Sequence, residues 1–503
     1  MLKNIFNTPL LGPVMRSPWT WRIARLLCLA VVLIMIAAGW HHHAIPGVKV
    51  PDPLMYTSLT THLFWVWWIM GIVFIALLFG RGWCTVCPLG WINGLANRFG
   101  FNRPLPRWLQ NFIPVTLALL ALQLAVYFLE LHRHPDLTAR LLALLLLLAA
   151  LAGLVFRGHA FCRLLCPAGA VFGLYARLAP WSLRVRNAET CEACSEKNCI
   201  SGKPLWRKLA LGPAVLFWHG QRKTCPVDLV PEQMNDAAAC TLCLHCAHNC
   251  DNDNIAMGRR PWLGDLGRAP LAPSETLFFL VLLGLLTVNF TKVYPDLRQW
   301  VWAAPEQAAL LLGWTGTGYY LLAALWAAVI FPLLLLLPAW GIWRLSDLRI
   351  TTLTDENSPP HPAPTSAPIA EIGFWARMGH LALPLIPLLL TIHLILAVVK
   401  INAKAGFLPY ALRDPGGVKS YLAMNVMHTV PSPGLLLQLD TLKWVIMTLL
   451  LGGAALCLPA VRRCMRALPS GTSTPGFVTA MAVTVGMLSA LYGSTVIRWL
   501  FVR

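Results

Sequence analysis

Nine apolar runs confine what this chain can fold into. They lie at about Leu26 to Trp40, Leu59 to Gly80, Phe112 to Leu131 and Leu141 to Phe156, then near 275–292, 318–340, 380–399, 441–458 and 476–497. Each is long enough, or nearly so, to cross about 30 Å of hydrocarbon. In that medium every backbone N–H and C=O has to find a partner within the chain, and a run of this length does so as a helix. The composition agrees: 57% of the 503 residues are hydrophobic and 12% charged, and 22 tryptophans suit many membrane–water boundaries. The expected class is an all-α polytopic membrane protein of about nine transmembrane helices.

A formal charge of +19 raises the question of nucleic acid. The positions of the charges exclude it. Most of the 40 Lys and Arg fall in segments on one side of the runs, as the positive-inside rule requires of cytoplasmic loops. Lys3, Arg16, Arg22 and Arg25 precede the first run, which leads into His41-His42-His43 and shows no small-residue cleavage pattern. The reading is an uncleaved first span in a bacterial inner membrane, with the N-terminus cytoplasmic. Cys28, at the start of that span, reads as a buried structural thiol. The Gly313, Gly316 and Gly318 cluster is expected to break the long 307–340 stretch, and the Pro/Ser/Ala-rich stretch 355–370 reads as a flexible linker.

Between the two hydrophobic halves stand eight cysteines in two groups. The second reads Cys240-x₂-Cys243-x₂-Cys246-x₃-Cys250, the spacing that sets three thiolates around one [4Fe–4S] cube and sends the fourth to another. The first reads Cys191-x₂-Cys194-x₄-Cys199, followed after an insertion by Cys225-Pro226. The two-cluster rule then assigns one cluster to Cys191, Cys194, Cys199 and Cys250, and the other to Cys240, Cys243, Cys246 and Cys225. Zinc usually takes two separated pairs, which this run is not. Covalent haem needs CxxCH, and Cys243-Leu-His-Cys246 is followed by Ala247. The expected architecture is a small α+β two-cluster ferredoxin-like domain inserted at 181–270 between membrane segments 1–100, 101–180 and 271–503.

The membrane segments before the module repeat. Cys87-Pro88-x-Gly90-x₃-Gly94-Leu95-x₂-Arg98 recurs 79 residues later as Cys166-Pro167-x-Gly169-x₃-Gly173-Leu174-x₂-Arg177, and Arg-Gly precedes each copy. Each copy closes a two-span hairpin, so the two hairpins read as a duplicated unit. Cys84 and Cys162 precede the paired prolines, which brings four thiols to one membrane depth. Three readings stay open for Cys84, Cys87, Cys162 and Cys166: an additional iron–sulfur cluster, redox-active dithiols, or packed structural thiols.

The paired CP-type motifs at span ends, followed by a two-cluster cysteine module, resemble the NapH/NosR-type membrane polyferredoxins over about residues 60–255. The resemblance implies cluster ligands at the eight module cysteines and redox or assembly importance for the four repeat cysteines. It also implies a membrane-bound electron carrier between a quinol pool or cytoplasmic donor and a membrane or periplasmic acceptor. Its partners are then membrane lipid, redox proteins and quinone. The alternatives are a redox-dependent maturation factor for a metalloenzyme, and a cluster-regulated transporter or sensor. The chain continues about 250 residues past the module, so no particular partner is carried over.

That half holds His380 and His393 on one apolar run and His428 in the loop after it. Thirteen residues separate the first two, more than three helical turns, so they do not ligate one iron, and haem b is disfavoured. Packed histidines, a quinone site or a proton relay are the remaining readings. The His41–His43 run reads as a solvated loop, with metal binding as the alternative.

Overall fold

The computed structural model describes residues 4–45, 47–48, 54–202, 204–211, 214–221, 224–356 and 372–501. Among these, eight helices are long and apolar enough to cross a membrane: Pro18–Gly39, Leu59–Ala96, Pro135–Val155, Pro273–Thr291, Thr317–Arg349, Phe374–Arg413, Leu439–Met465 and Thr474–Leu500. The expected run at 112–131 forms the helix Ile113–Phe128, of 16 residues. At 1.5 Å per residue it measures about 24 Å, short of the hydrocarbon thickness. The expected break near Gly313 is present. The helix Pro295–Leu312 stops at Gly313 (φ 64°), and a new helix starts at Thr317 after Gly316 (φ 55°). Both glycines hold left-handed backbone that a side chain would strain. Of the linker, residues 357–370 lie outside those described.

The two repeat motifs become the same local structure. Pro88 and Pro167 each occupy the first turn of a helix, Pro88–Ala96 and Pro167–Ala176, where a missing N–H costs nothing. The cysteine before each proline is therefore the N-cap, and Cys166 Sγ accepts the Gly169 backbone N–H at 3.4 Å. The hairpins pack through glycine and asparagine. Gly80 turns the chain with φ 55°, and a Cβ there would stand 2.8 Å from the Ala176 Cα. Asn93 Nδ2 donates to the Ala149 carbonyl at 2.8 Å, and Asn97 Nδ2 to the Phe156 carbonyl at 2.7 Å. Such small-residue contacts and inter-helix hydrogen bonds are what hold helices together where lipid is as apolar as leucine.

The module is framed by β1 (Trp181–Val185), and its loops carry β2 (Pro204–Leu211) and β3 (Ala214–Gln221) before β4 (Ile255–Arg259) closes it. β1 pairs antiparallel with β4, Trp181 opposite Arg259 and Val185 opposite Ile255, so entry and exit of the module are stitched together. The insertion between Cys199 and Cys225 is the β2–β3 hairpin.

The C-terminal helices do not form a core of their own. Ile72, Val73, Val115, Phe172, Leu174 and Tyr175 from the hairpins share one buried cluster with Phe278, Leu336, Leu388, Ile446 and Phe477. The apolar stretches of Pro273–Thr291 and Phe374–Arg413 are 78% buried against 17% for Pro18–Gly39, so these two run through the centre of the bundle.

Candidate metal centres

The x₂-x₂-x₃ run is held in a strained backbone. Leu242 (φ 51°) and Leu244 (φ 64°), one between each pair of cysteines, are left-handed, as are Asp228 beyond Cys225 and Lys197 before Cys199. A leucine in this region costs about 1–2 kcal/mol, and such residues gather where function requires them. The strain has a use here, because it turns backbone N–H groups toward sulfur. The N–H of Leu242 faces Cys240, that of His245 faces Cys243, and those of Val227 and Leu229 face Cys225. Successive N–H groups aimed into one concavity are an anion-binding feature common at iron–sulfur sites.

The structure sorts the eight cysteines into two sets of four. Cys191, Cys194, Cys199 and Cys250 line one cavity. Asn254 ties its two ends: its Nδ2 donates to Cys191 Sγ at 3.2 Å and its backbone N–H to Cys250 Sγ at 3.3 Å. Cys225 sits instead with Cys240, Cys243 and Cys246, whose thiols are its electrostatic neighbours. Burial pushes the Cys240 thiol up to about 12 and raises that of Cys246. Ligation deprotonates such thiols, so it releases protons as it charges the site. Among the described residues, no three His, Cys, Asp or Glu side chains converge on a point that would hold a single metal ion. A cube several ångström across needs its ligands spread around it, and the all-thiol donor sets with inward N–H groups fit that demand.

The four repeat cysteines also come together. Cys162 has Cys166, Cys87 and Cys84 as electrostatic neighbours, with the Arg81 guanidinium beside them. The repeated glycines leave the room: a Cβ on Gly90 would stand 3.6 Å from Cys162 Sγ, and one on Gly169 3.6 Å from Cys166 Sγ and 3.1 Å from Arg81 Nη2. Cys87 and Cys166 stand at helix N-termini, where the dipole favours negative charge. Arg81, 7% exposed, donates through Nη1 to the carbonyls of Ala238 and Ala239 at 3.2 and 3.4 Å. Its buried Nε and Nη2 find no oxygen. A buried guanidinium facing thiols suits thiolates or a negatively charged cluster, not a set of neutral SH groups.

Sequence reasoning had no signal for the contact between these sites. Thr85, next to Cys84, donates through Oγ1 to the carbonyls of Thr241 and Leu242 at 3.2 and 3.1 Å. Arg25 Nε donates to the Thr85 carbonyl at 2.8 Å. The loop that carries Cys240 therefore rests directly on the turn that carries Cys84.

The histidines are placed apart. His380 packs edge-on to Trp343, and His393 hydrogen-bonds the Tyr175 hydroxyl at 3.1 Å, while His428 is exposed. His43 stacks on His134 with ring centres 4.2 Å apart and meets Asp136 at 2.9 Å through Nδ1. Cys28 is half-buried on the first span.

Comparison with known proteins adds the chemistry. A family model described as a 4Fe-4S binding domain matches residues 61–106 and 139–186, one match per hairpin. Each match contains one pair of repeat cysteines. The chain is 33% identical over 169 residues to the putative electron transport protein YccM of Escherichia coli, a match covering 27% of this chain and 46% of that protein. It is 28% identical over 272 residues to the E. coli ferredoxin-type protein NapH, covering 48% of this chain and 90% of NapH. No solved structure matches. Both hairpins match a 4Fe-4S binding domain and the cysteine module follows them, so the chain is similar to NapH-type membrane ferredoxin proteins; it spans about half the length of YccM.

Proposed function

We propose that the chain carries electrons along three adjoining sulfur centres. One [4Fe–4S] cluster is held by Cys191, Cys194, Cys199 and Cys250, and a second by Cys225, Cys240, Cys243 and Cys246. A third is held by Cys84, Cys87, Cys162 and Cys166. Each cluster supplies a one-electron couple. The rest is the work of the protein's own residues. Leu242 and His245 aim N–H groups at sulfur, Asn254 donates to two thiols of the outlying set, and Arg81 offsets negative charge at the membrane-level set. The observation that carries this reading is the Thr85–Thr241 and Arg81–Ala238 contact, which seats the Cys240 loop against the four-thiol cradle.

The half-buried set, Cys191 to Cys250, is the end open to a partner, and the cradle is the end that meets the bilayer. The module faces the cytoplasm of a bacterial inner membrane, the side favoured by the Lys and Arg distribution. The donor is the quinol pool or a cytoplasmic reductant, and the acceptor a membrane or periplasmic redox protein. Anaerobic purification with iron analysis and EPR tests this. About twelve irons per chain, at four per cluster, support three centres. Fewer than about eight contradict even the two in the module.

A further inference from the structure

Beside the cradle lies a cavity of about 470 Å³, within the range of ligand sites. Its walls join three segments: Pro104, Leu105 and Gln110 from the loop between the hairpins, Arg157 and Arg163 from the second hairpin's end, and Val227 to Leu229 from the module. Arg81 lines it too. Two guanidinium groups therefore face one carboxylate, Asp228, which takes Arg163 Nη1 at 3.1 Å and stands 4.0 Å from Arg157 Nη2. With the Arg81 charge turned to the thiols, the cavity keeps an excess of one positive charge.

The loop that forms one wall sets the depth of the site. Phe99, Phe101 and Trp108 stand 81, 77 and 75% exposed, with Arg103 over the Phe101 ring at 5.9 Å. Exposed aromatics beside arginines are the residues that sit at lipid headgroup level. Leu105 of the same loop is buried and turns toward the cavity. Basic pockets at this depth take phosphorylated headgroups. A quinone ring is neutral and would leave the charge excess unanswered.

We propose that this cavity is a phosphate-binding site, gripped by Arg157 and Arg163 with Arg81 behind them, and that its phosphate is the headgroup of an anionic phospholipid. The volume favours a headgroup over a bare ion. The site stands whether or not the four-thiol cradle holds a cluster.

The test uses the full chain, delipidated in detergent, with two probes measured by native mass spectrometry: short-chain phosphatidylglycerol and inorganic phosphate. The expected result is binding of phosphatidylglycerol, weakened roughly a hundredfold by the double change Arg157→Gln and Arg163→Gln. The change Arg107→Gln, on the same loop but outside the cavity, should leave it intact. Arg157→Lys with Arg163→Lys should restore part of it, which separates charge from folding. Inorganic phosphate binding with the same dependence would support the site with a free phosphate as its source. Absence of binding by both probes, or binding indifferent to Arg157 and Arg163, would overturn the proposal.

Discussion

Arg177 grips Glu275 with both arms of its guanidinium, Nη1 to Oε1 at 2.8 Å and Nη2 to Oε2 at 3.1 Å. Its Nε donates to Asp236 Oδ2 at 2.9 Å. One residue thus ties the end of the second CP helix to the first turn of Pro273–Thr291 and to the loop leading into Cys240. Both side chains of the Arg177–Glu275 pair are 8% exposed. Removing Glu275 leaves the buried guanidinium with Asp236 alone, so the cost falls below the roughly 3–5 kcal/mol of a wholly unpaired buried charge. Glu275→Gln should therefore lower the thermal transition of the purified protein and open the 234–240 loop to protease. Changing both residues to apolar ones of similar size should cost less than changing one. A single change that leaves both readouts at the wild-type level would show that this joint does not hold the module.

Gly80 gives a second check on the hairpin interface. Its φ is 55°, and a Cβ added there would approach the Ala176 Cα to 2.8 Å, which leaves no room because the opposing atom is backbone. Gly80→Ala combines a strained dihedral with a clash, each worth about 1–3 kcal/mol. The expected outcome is a less stable protein in which the Cys84 turn no longer seats against the second hairpin. Equal unfolding temperatures for variant and parent would contradict the packing described.

Much of this was legible beforehand, for identifiable reasons. The x₂-x₂-x₃ run is a local spacing, and the CP motifs repeat in register, so both survive reading along one dimension. The two-cluster rule groups Cys191 with Cys250 from sequence, but the part of Asn254 shows only in space: its side chain and backbone reach these two sulfurs, 59 residues apart. The β2–β3 hairpin read only as an insert, although Gly212-Pro213 is a turn signal in the sequence. Arg81 and Thr85 looked like ordinary loop residues, because their partners are carbonyls whose identity leaves no trace in sequence. The run at 112–131 marks an apolar helix, but hydropathy does not reveal that it stops at Phe128.

Asn254 also gives a prediction about potential. An N–H···S hydrogen bond stabilises the reduced, more negative cluster and raises its potential. Asn254→Leu removes the Nδ2 donor to Cys191 and keeps the backbone donor to Cys250. One hydrogen bond is worth about 1 kcal/mol net, and for a one-electron couple about 59 mV corresponds to 1.4 kcal/mol. Redox titration followed by EPR should show one cluster shifted down by roughly 40 mV and the others unmoved. A shift of every signal, or of none, would rule out this role for Asn254.

Leu244 tests the strained loop. It is fully buried and left-handed, and a β-branched side chain fits neither demand of that backbone. Leu244→Val should lower iron occupancy of the Cys225–Cys240–Cys243–Cys246 set, read as loss of one EPR signal. Occupancy matching the parent protein would mean that the backbone there relaxes freely.

The central claim is that the electron path extends from the module into the four-thiol cradle at the membrane face. Iron content per chain, measured anaerobically on Cys84→Ala and Cys166→Ala beside the parent, tests it most directly. The account predicts a fall from about twelve to about eight irons, with both module EPR signals retained. Iron content unchanged by either substitution would contradict it.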